Sequence, residues 1–380
     1  MKSCGFKTDK RMSAVAVFII YFISFVCIGL DYSGNVVGAK LKRQIFDLIC
    51  CILVLFAAFK PSDFCFDIEW YCRFFKEVTP IYSYKYTFGE YEPAYCYLNS
   101  IIKVFTSNYH ILFFILASIS ICMYRTIILE YAEKKFLALF VYISCFYFLN
   151  EMVILRTGIA SAIVFFNIKN LKDGNMRKYY LLSFLATAFH YSAIITFLIP
   201  FFFRNTDKTK SIKRLLVVIV ACAFLSCFIS PMSIIAGVGK RYPELYNAVL
   251  WRILRYSVES GAGIKRLIMY IPYLWIALSY FYNTQKTNIR ERNDINLAYS
   301  QLIYIMMAML CILLFSEISS MSRINQLFLT SIILISGNFE RAHEKQIAIK
   351  GLYLMGIVII SIYAFLRQNF FNSSGLVLFN

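Results

Sequence analysis

The chain has 380 residues, 60% hydrophobic and 18% aromatic. A soluble domain is nearer half apolar, so the expected fold class is all-α, a polytopic integral membrane protein, with repeated apolar runs long enough to cross about 30 Å of hydrocarbon. The net charge of +18 would point to nucleic acid on a soluble protein, but here the basic residues flank apolar runs and fix topology. Nucleic acid is therefore excluded as a partner, and the lipid bilayer with its anionic head groups takes that place.

In chain order, hydropathy predicts spans at 13–30, 45–59, 109–124, 136–150, 153–169, 179–203, 214–235, 266–283, 297–316, 322–338 and 348–366. Together these make about ten to twelve crossings. They form one expected domain over residues 1–380, with larger outer loops at about 60–92 and 236–265. The first run comes after Lys2, Lys7, Lys10 and Arg11 and reads as a retained helix, because no small-residue cleavage site succeeds it. The stretch Ala94–Phe105 is short for a span and suits an interfacial or re-entrant helix.

Basic clusters at Lys40–Arg43, Lys134-Lys135, Lys169–Lys178 and Arg204–Arg214 read as cytoplasmic. The segment Lys60–Glu92 has six acids against four bases, which suits the outer side. These assignments conflict at two places. The basic N-terminus prefers the inside, yet two spans separate it from the acidic outer segment. A single span over 179–203 cannot have cytoplasmic loops at both ends.

Two polar residues interrupt strongly apolar stretches: Arg156, in Leu155-Arg156-Thr157-Gly158-Ile159-Ala160, and His190, in Ala188-Phe189-His190-Tyr191-Ser192-Ala193. A cation at bilayer depth costs roughly 2.5–3.5 kcal/mol, so it marks function by default. The plainer readings are a snorkelling anchor or a partner for nearby Glu151 in the case of Arg156, and a core imidazole in the case of His190. With a turn centred at Asp173-Gly174, Arg156 lies 18 residues before Gly174 and His190 lies 16 after it. At 1.5 Å per residue the two sit about 27 Å and about 24 Å from the turn. An antiparallel helix pair would bring them to one depth, and imidazole is the usual general base at neutral pH.

Other candidates rest on the same chemistry. Arg323 opens the run after Glu317 and is a further cation at a helix entrance. Arg241, Arg252 and Arg255 are interleaved with Tyr242, Tyr246, Trp251 and Tyr256, which suits a head-group surface or a diphosphate groove. Asp67 and Glu69 form a DxE pattern of the kind that binds divalent ions. Tyr71, Trp70 and Tyr95 can stack on sugar faces. Glu92 precedes Pro93, a residue suited to a first helical turn. The twelve cysteines form no zinc pattern, so no metal or other cofactor is expected. Cys65, Cys72 and Cys96 could pair if their loop faces an oxidising compartment.

Taken together, Asp63/Asp67, Tyr71, Phe75, then Glu92-Pro93-Ala94-Tyr95, Leu155–Ala160, Phe189–Ala193 and Ser322-Arg323 resemble the EpsG-like, Wzy-type polysaccharide polymerases of bacterial envelopes. The chain departs from their pattern at Thr157, at Ala94 and at Ala58-Phe59-Lys60. The resemblance implies a glycosyltransferase of the bacterial inner membrane. It would join undecaprenyl-diphosphate-linked repeat units into O-antigen, capsule or exopolysaccharide at the outer face, beside a chain-length regulator. Arg156, His190 and Arg323 would then be catalytic. Asp67, Tyr71, Glu92, Arg241, Arg252 and Arg255 would bind substrate, with Asp67 or Glu92 as competing base. The alternatives are a metal-dependent multi-helix glycosyltransferase using a polyprenyl-phosphate sugar, a flippase for lipid-linked oligosaccharides, and a membrane acyltransferase.

Overall fold

A computed structural model describes residues 7–34, 36–87, 91–203, 207–228, 237, 241, 271–286, 292–315, 324–342, 353, 355–359 and 362. All regular structure among them is helical, and it divides into two compact units. One comprises residues 1–166, 188–191 and 336–380, the other residues 167–187 and 192–335.

In the first unit, α1 (Lys7–Cys27) and the short α2 (Gly29–Tyr32) lead into α3 (Ala39–Ala58), α4 (Phe66–Glu77), α5 (Pro93–Phe105) and α6 (Tyr109–Tyr131). Pro93 starts α5 and Asn108 caps α6, its side chain accepting from the His110 amide at 3.0 Å. Helices α3 and α6 run antiparallel. His110 Nδ1 lies 2.9 Å from the Ala58 carbonyl at one end, and Arg125 pairs with Asp47 at 2.7 Å at the other. α7 (Lys135–Tyr142) then passes through a π-helical turn (Ile143–Tyr147) into the short α8 (Phe148–Asn150). A π turn inserts one residue and rotates the helix beyond it. α9 (Leu155–Phe166) returns against α6.

The return from α8 into α9 is possible only because residue 158 is glycine. A Cβ there would stand 2.4 Å from the carbonyl oxygen of Asn150. Gly158→Ala is therefore expected to destabilise the fold by at least about 3 kcal/mol, above the usual overpacking range because the obstacle is backbone. Thermal unfolding of the purified variant reads this out, and an unchanged midpoint would contradict it.

The second unit carries α10 (Ile168–Lys172), α11 (Met176–Phe189, whose tip crosses into the first unit), a 3-10 helix (Tyr191–Leu198) and α12 (Ile199–Phe203). It continues with α13 (Lys208–Phe228), α14 (Ile271–Lys286), α15 (Arg292–Phe315), α16 (Ile324–Leu329) and the start of α17 (Ile332–Ala342). Gly174 takes φ +70°, a left-handed turn that glycine adopts without strain. The expected single span at 179–203 is corrected here. The chain breaks at His190 and doubles back, so that the Tyr179 hydroxyl donates to the Thr196 carbonyl at 3.0 Å and Tyr180 stacks on Phe197. This also removes the charge conflict at 179–203. Asn296 donates to the Lys172 carbonyl at 3.3 Å and accepts from the Lys208 ammonium, so both basic loops meet at one end of this unit.

Among the described residues, two helical stretches, Tyr109–Tyr131 and Asp294–Leu314, are long and apolar enough to cross a membrane. The second is mostly buried and forms the core of its unit. Elsewhere, rows of large apolar side chains face outward: Phe18, Phe22 and Phe25 on α1, Leu48, Ile52 and Leu55 on α3, Leu181 and Phe184 on α11, and Val217, Val220 and Phe224 on α13. Such continuous outward apolar stripes mark contact with another apolar phase.

Candidate functional site

Helix α5 begins at Pro93, and Glu92 is its N-cap residue with extended backbone. The Glu92 side chain makes no capping bond to its own helix, so both carboxylate oxygens are available elsewhere. One accepts from Nη1 of Arg156, and the other lies 2.8 Å from Nδ1 of His190. Glu92 is almost fully buried, while Arg156 and His190 keep about a fifth of their side-chain surface, 22% and 19%. The three residues thus form a cluster that is closed at the carboxylate and open at the cation and the imidazole.

Each position has a local cause. Arg156 is the second residue of α9, where the helix dipole disfavours a cation, and the Glu92 carboxylate offsets that cost. His190 stands at the reversal between α11 and the 3-10 helix. The helix arithmetic from Gly174 anticipated that Arg156 and His190 would share a depth, and one carboxylate indeed holds both.

An aromatic wall backs the cation. The Arg156 guanidinium lies 4.5 Å from the ring centre of Tyr91 and 5.7 Å from that of Tyr71, within cation–π range. Tyr71, Tyr91 and Tyr95 pack on one another with centroids 5.5–6.0 Å apart, and Phe74 meets Tyr91 edge-on at 4.8 Å. Burial pushes the Tyr91 phenol up to about 12, so it stays protonated. The Tyr86 hydroxyl donates to the Tyr91 carbonyl at 3.2 Å and lies 3.0 Å from the hydroxyl of Tyr191, the residue after His190. Nε of Arg156 is buried and has no hydrogen-bond partner among the described residues. Leaving such a donor unmade costs about 1–3 kcal/mol.

Burial alone would raise the Glu92 carboxyl. The His190 hydrogen bond and the Arg156 charge outweigh it and hold the group lowered from 4.5 to about 2. A lowered folded-state value contributes stability above the unfolded value, and that stability is lost as pH falls through the folded one. The gap in unfolding temperature between the native protein and Glu92→Gln should therefore shrink progressively as pH falls from about 4.5 to about 2. A gap that persists unchanged in acid would contradict this linkage.

The remaining expected residues divide clearly. Tyr71 belongs to the aromatic wall. Asp67 lies half-buried in the first turn of α4 and acts electrostatically on Tyr91. Glu69 points elsewhere and pairs with the exposed Arg73 at 3.4 Å. Among the described residues no group of three or more His, Cys, Asp or Glu is placed to hold a metal ion. Cys65, Cys72 and Cys96 are buried, and no disulfide joins them to one another. Arg241 is exposed and lies in the other unit. Arg252, Arg255 and Arg323 lie outside the described residues. Glu151 is not the partner of Arg156; that role belongs to Glu92. Residue type and order had already picked out Glu92, but its pairing spans 64 residues to Arg156 and 98 to His190, and no local pattern reports that.

A protein-family model described as the EpsG family matches residues 44–378, nearly the whole chain. No curated protein and no solved structure matches it. With the apolar helices, the family match points to a membrane protein.

Proposed function

The chain belongs to the EpsG family, and from that premise we propose that it is a polysaccharide polymerase of the bacterial inner membrane. It joins undecaprenyl-diphosphate-linked repeat units into O-antigen, capsule or exopolysaccharide chains at the outer face. The observation that carries this reading is the single carboxylate of Glu92, held between Arg156 and His190.

The chemistry needs a base and a cation. An acceptor sugar hydroxyl attacks the anomeric carbon of the donor glycan. The new C–O bond forms as the bond from that carbon to the diphosphate oxygen breaks, and undecaprenyl diphosphate leaves with the bonding pair. His190, with Nδ1–H donating to Glu92, presents the lone pair of Nε2 to the hydroxyl proton. Arg156 meets the charge that grows on the leaving diphosphate, where a fixed donor is worth most. Guanidinium carries five N–H donors in a planar fork, so Arg156 can hold Glu92 and a phosphate together. On residue type alone Arg323, Arg241, Arg252 and Arg255 keep a diphosphate role, Asp67 is assigned to the sugar, and the buried Tyr71 backs the Arg156 guanidinium. The acidic segment 60–92 is assigned to the outer face on its charge balance.

Deletion with complementation, read on a polysaccharide gel, tests the reading. Long chains should collapse to a single repeat unit, and ladders should be insensitive to chelator in permeabilised cells. Complete loss of surface glycan would favour a flippase instead. Loss of ladders on chelation would favour the metal-dependent glycosyltransferase.

A further inference from the structure

Among the described residues of the first unit, Lys60 and Glu151 are also buried, each 3% exposed, and both lie outside the Glu92 cluster. Glu151 comes just after α8 and is gripped from three sides. Its carboxylate accepts from the Ser120 hydroxyl of α6 at 2.6 Å and from the Tyr142 hydroxyl of α7 at 3.3 Å. Its backbone carbonyl accepts from the Lys60 ammonium, just past α3, at 2.5 Å. Lys60 also lies over the Phe113 ring, 4.6 Å from its centre.

The backbone after Glu151 is equally constrained. The amides of Val153 and Ile154 both donate to the Leu149 carbonyl, at 3.1 and 2.9 Å, and the Gly158 amide donates to Ile154 at 2.8 Å. Gly158 rests against the Asn150 carbonyl. Arg156 lies five residues beyond Glu151, at the exit of this locked turn. The Lys60 ammonium thus reaches the main-chain carbonyl of Glu151, while Ser120 and Tyr142 hold its carboxylate. Leaving any of these buried polar groups without its partner is costly. Together they hold both the backbone and the side chain of residue 151.

We propose that Lys60 and Glu151 are positioning residues that set the register of the turn 151–155 and thereby aim the Arg156 guanidinium at Glu92 and at the diphosphate. The proposal rests on the reading of Arg156 given above. Neither residue touches substrate. They act through the backbone that delivers Arg156, and a displacement near 1 Å at a reacting group can cost about 100-fold in rate.

The test uses the full-length protein in vesicles, with the lipid-linked single repeat unit that accumulates in the deletion strain as donor and acceptor. Lys60→Met removes the ammonium that holds the Glu151 carbonyl; it should lower kcat about tenfold or more while changing KM less than about twofold. In an Arg156→Lys background, already slow but measurable, Lys60→Met should add less than about a twofold loss, because its route is already broken. A full multiplicative loss in that background overturns the proposal, as does a normal rate for Lys60→Met alone. If Lys60→Met fails to fold, Ser120→Ala removes one hydrogen bond to the Glu151 carboxylate and takes the same test, with a smaller fall in kcat and the same loss of effect beside Arg156→Lys. A wild-type rate for Arg156→Lys would instead sink the functional reading of Arg156, and this proposal with it. A slow Arg156→Lys beside a normal Lys60→Met sinks only the positioning role.

Discussion

Arg156→Ala is expected to stop chain growth, with a fall of about 100- to 1000-fold in the rate of bond formation. Two losses combine. The leaving diphosphate loses a donor fork, and Glu92 loses the cation that offsets its burial. Arg156→Lys should recover only part of the rate, because an ammonium keeps the charge but cannot hold carboxylate and phosphate in one plane. Membrane insertion should survive both changes, since the remainder of α9 is apolar and packs against α6. The gel should show the single repeat unit for Arg156→Ala and a faint short ladder for Arg156→Lys. Normal ladders from both would remove Arg156 from the site.

His190→Ala should be comparably severe, about 100- to 10,000-fold, the usual span for loss of a general base. His190→Asn separates the two roles of this residue. Its amide can still donate to Glu92, so the cluster should remain assembled and the unfolding temperature should stay close to that of the native protein. It cannot accept the hydroxyl proton, so the rate should match that of His190→Ala. Recovery of activity in His190→Asn would make His190 a support for Glu92 and move the base elsewhere, with Asp67 next in line.

The depth match between Arg156 and His190 was legible in the sequence because helical rise is fixed and Gly174 supplies an unambiguous turn. The reversal at His190 was not. Residues 179–203 contain no Asp, Glu, Lys or Arg, and the only proline among them, Pro200, lies ten residues past the break. Hydropathy therefore reads one continuous span where the helix breaks and the chain turns back. Only the basic loops at both ends betrayed it, as an inconsistency that the packing of Tyr179 on Thr196 resolves. The role of Glu92 was half legible. Its place before Pro93 marks a helix start, but a helix start normally spends its carboxylate on its own amides, and here it is spent on residues far along the chain. The Lys60–Glu151 contact is likewise a tertiary fact. Glu151 lies close to Arg156 in sequence and invited a local pairing, which the rotation imposed by the π turn and the tight contact at Gly158 replace with Ser120, Tyr142 and Lys60.

The central claim is that this chain forms glycosidic bonds between lipid-linked repeat units. The most direct measurement supplies the purified protein, in vesicles, with the single lipid-linked repeat unit isolated from the deletion strain. The expected result is a ladder of longer lipid-linked glycans, with one undecaprenyl diphosphate released for each bond formed. A repeat unit that crosses the bilayer unchanged, or is recovered unextended beside folded protein, would contradict the polymerase reading.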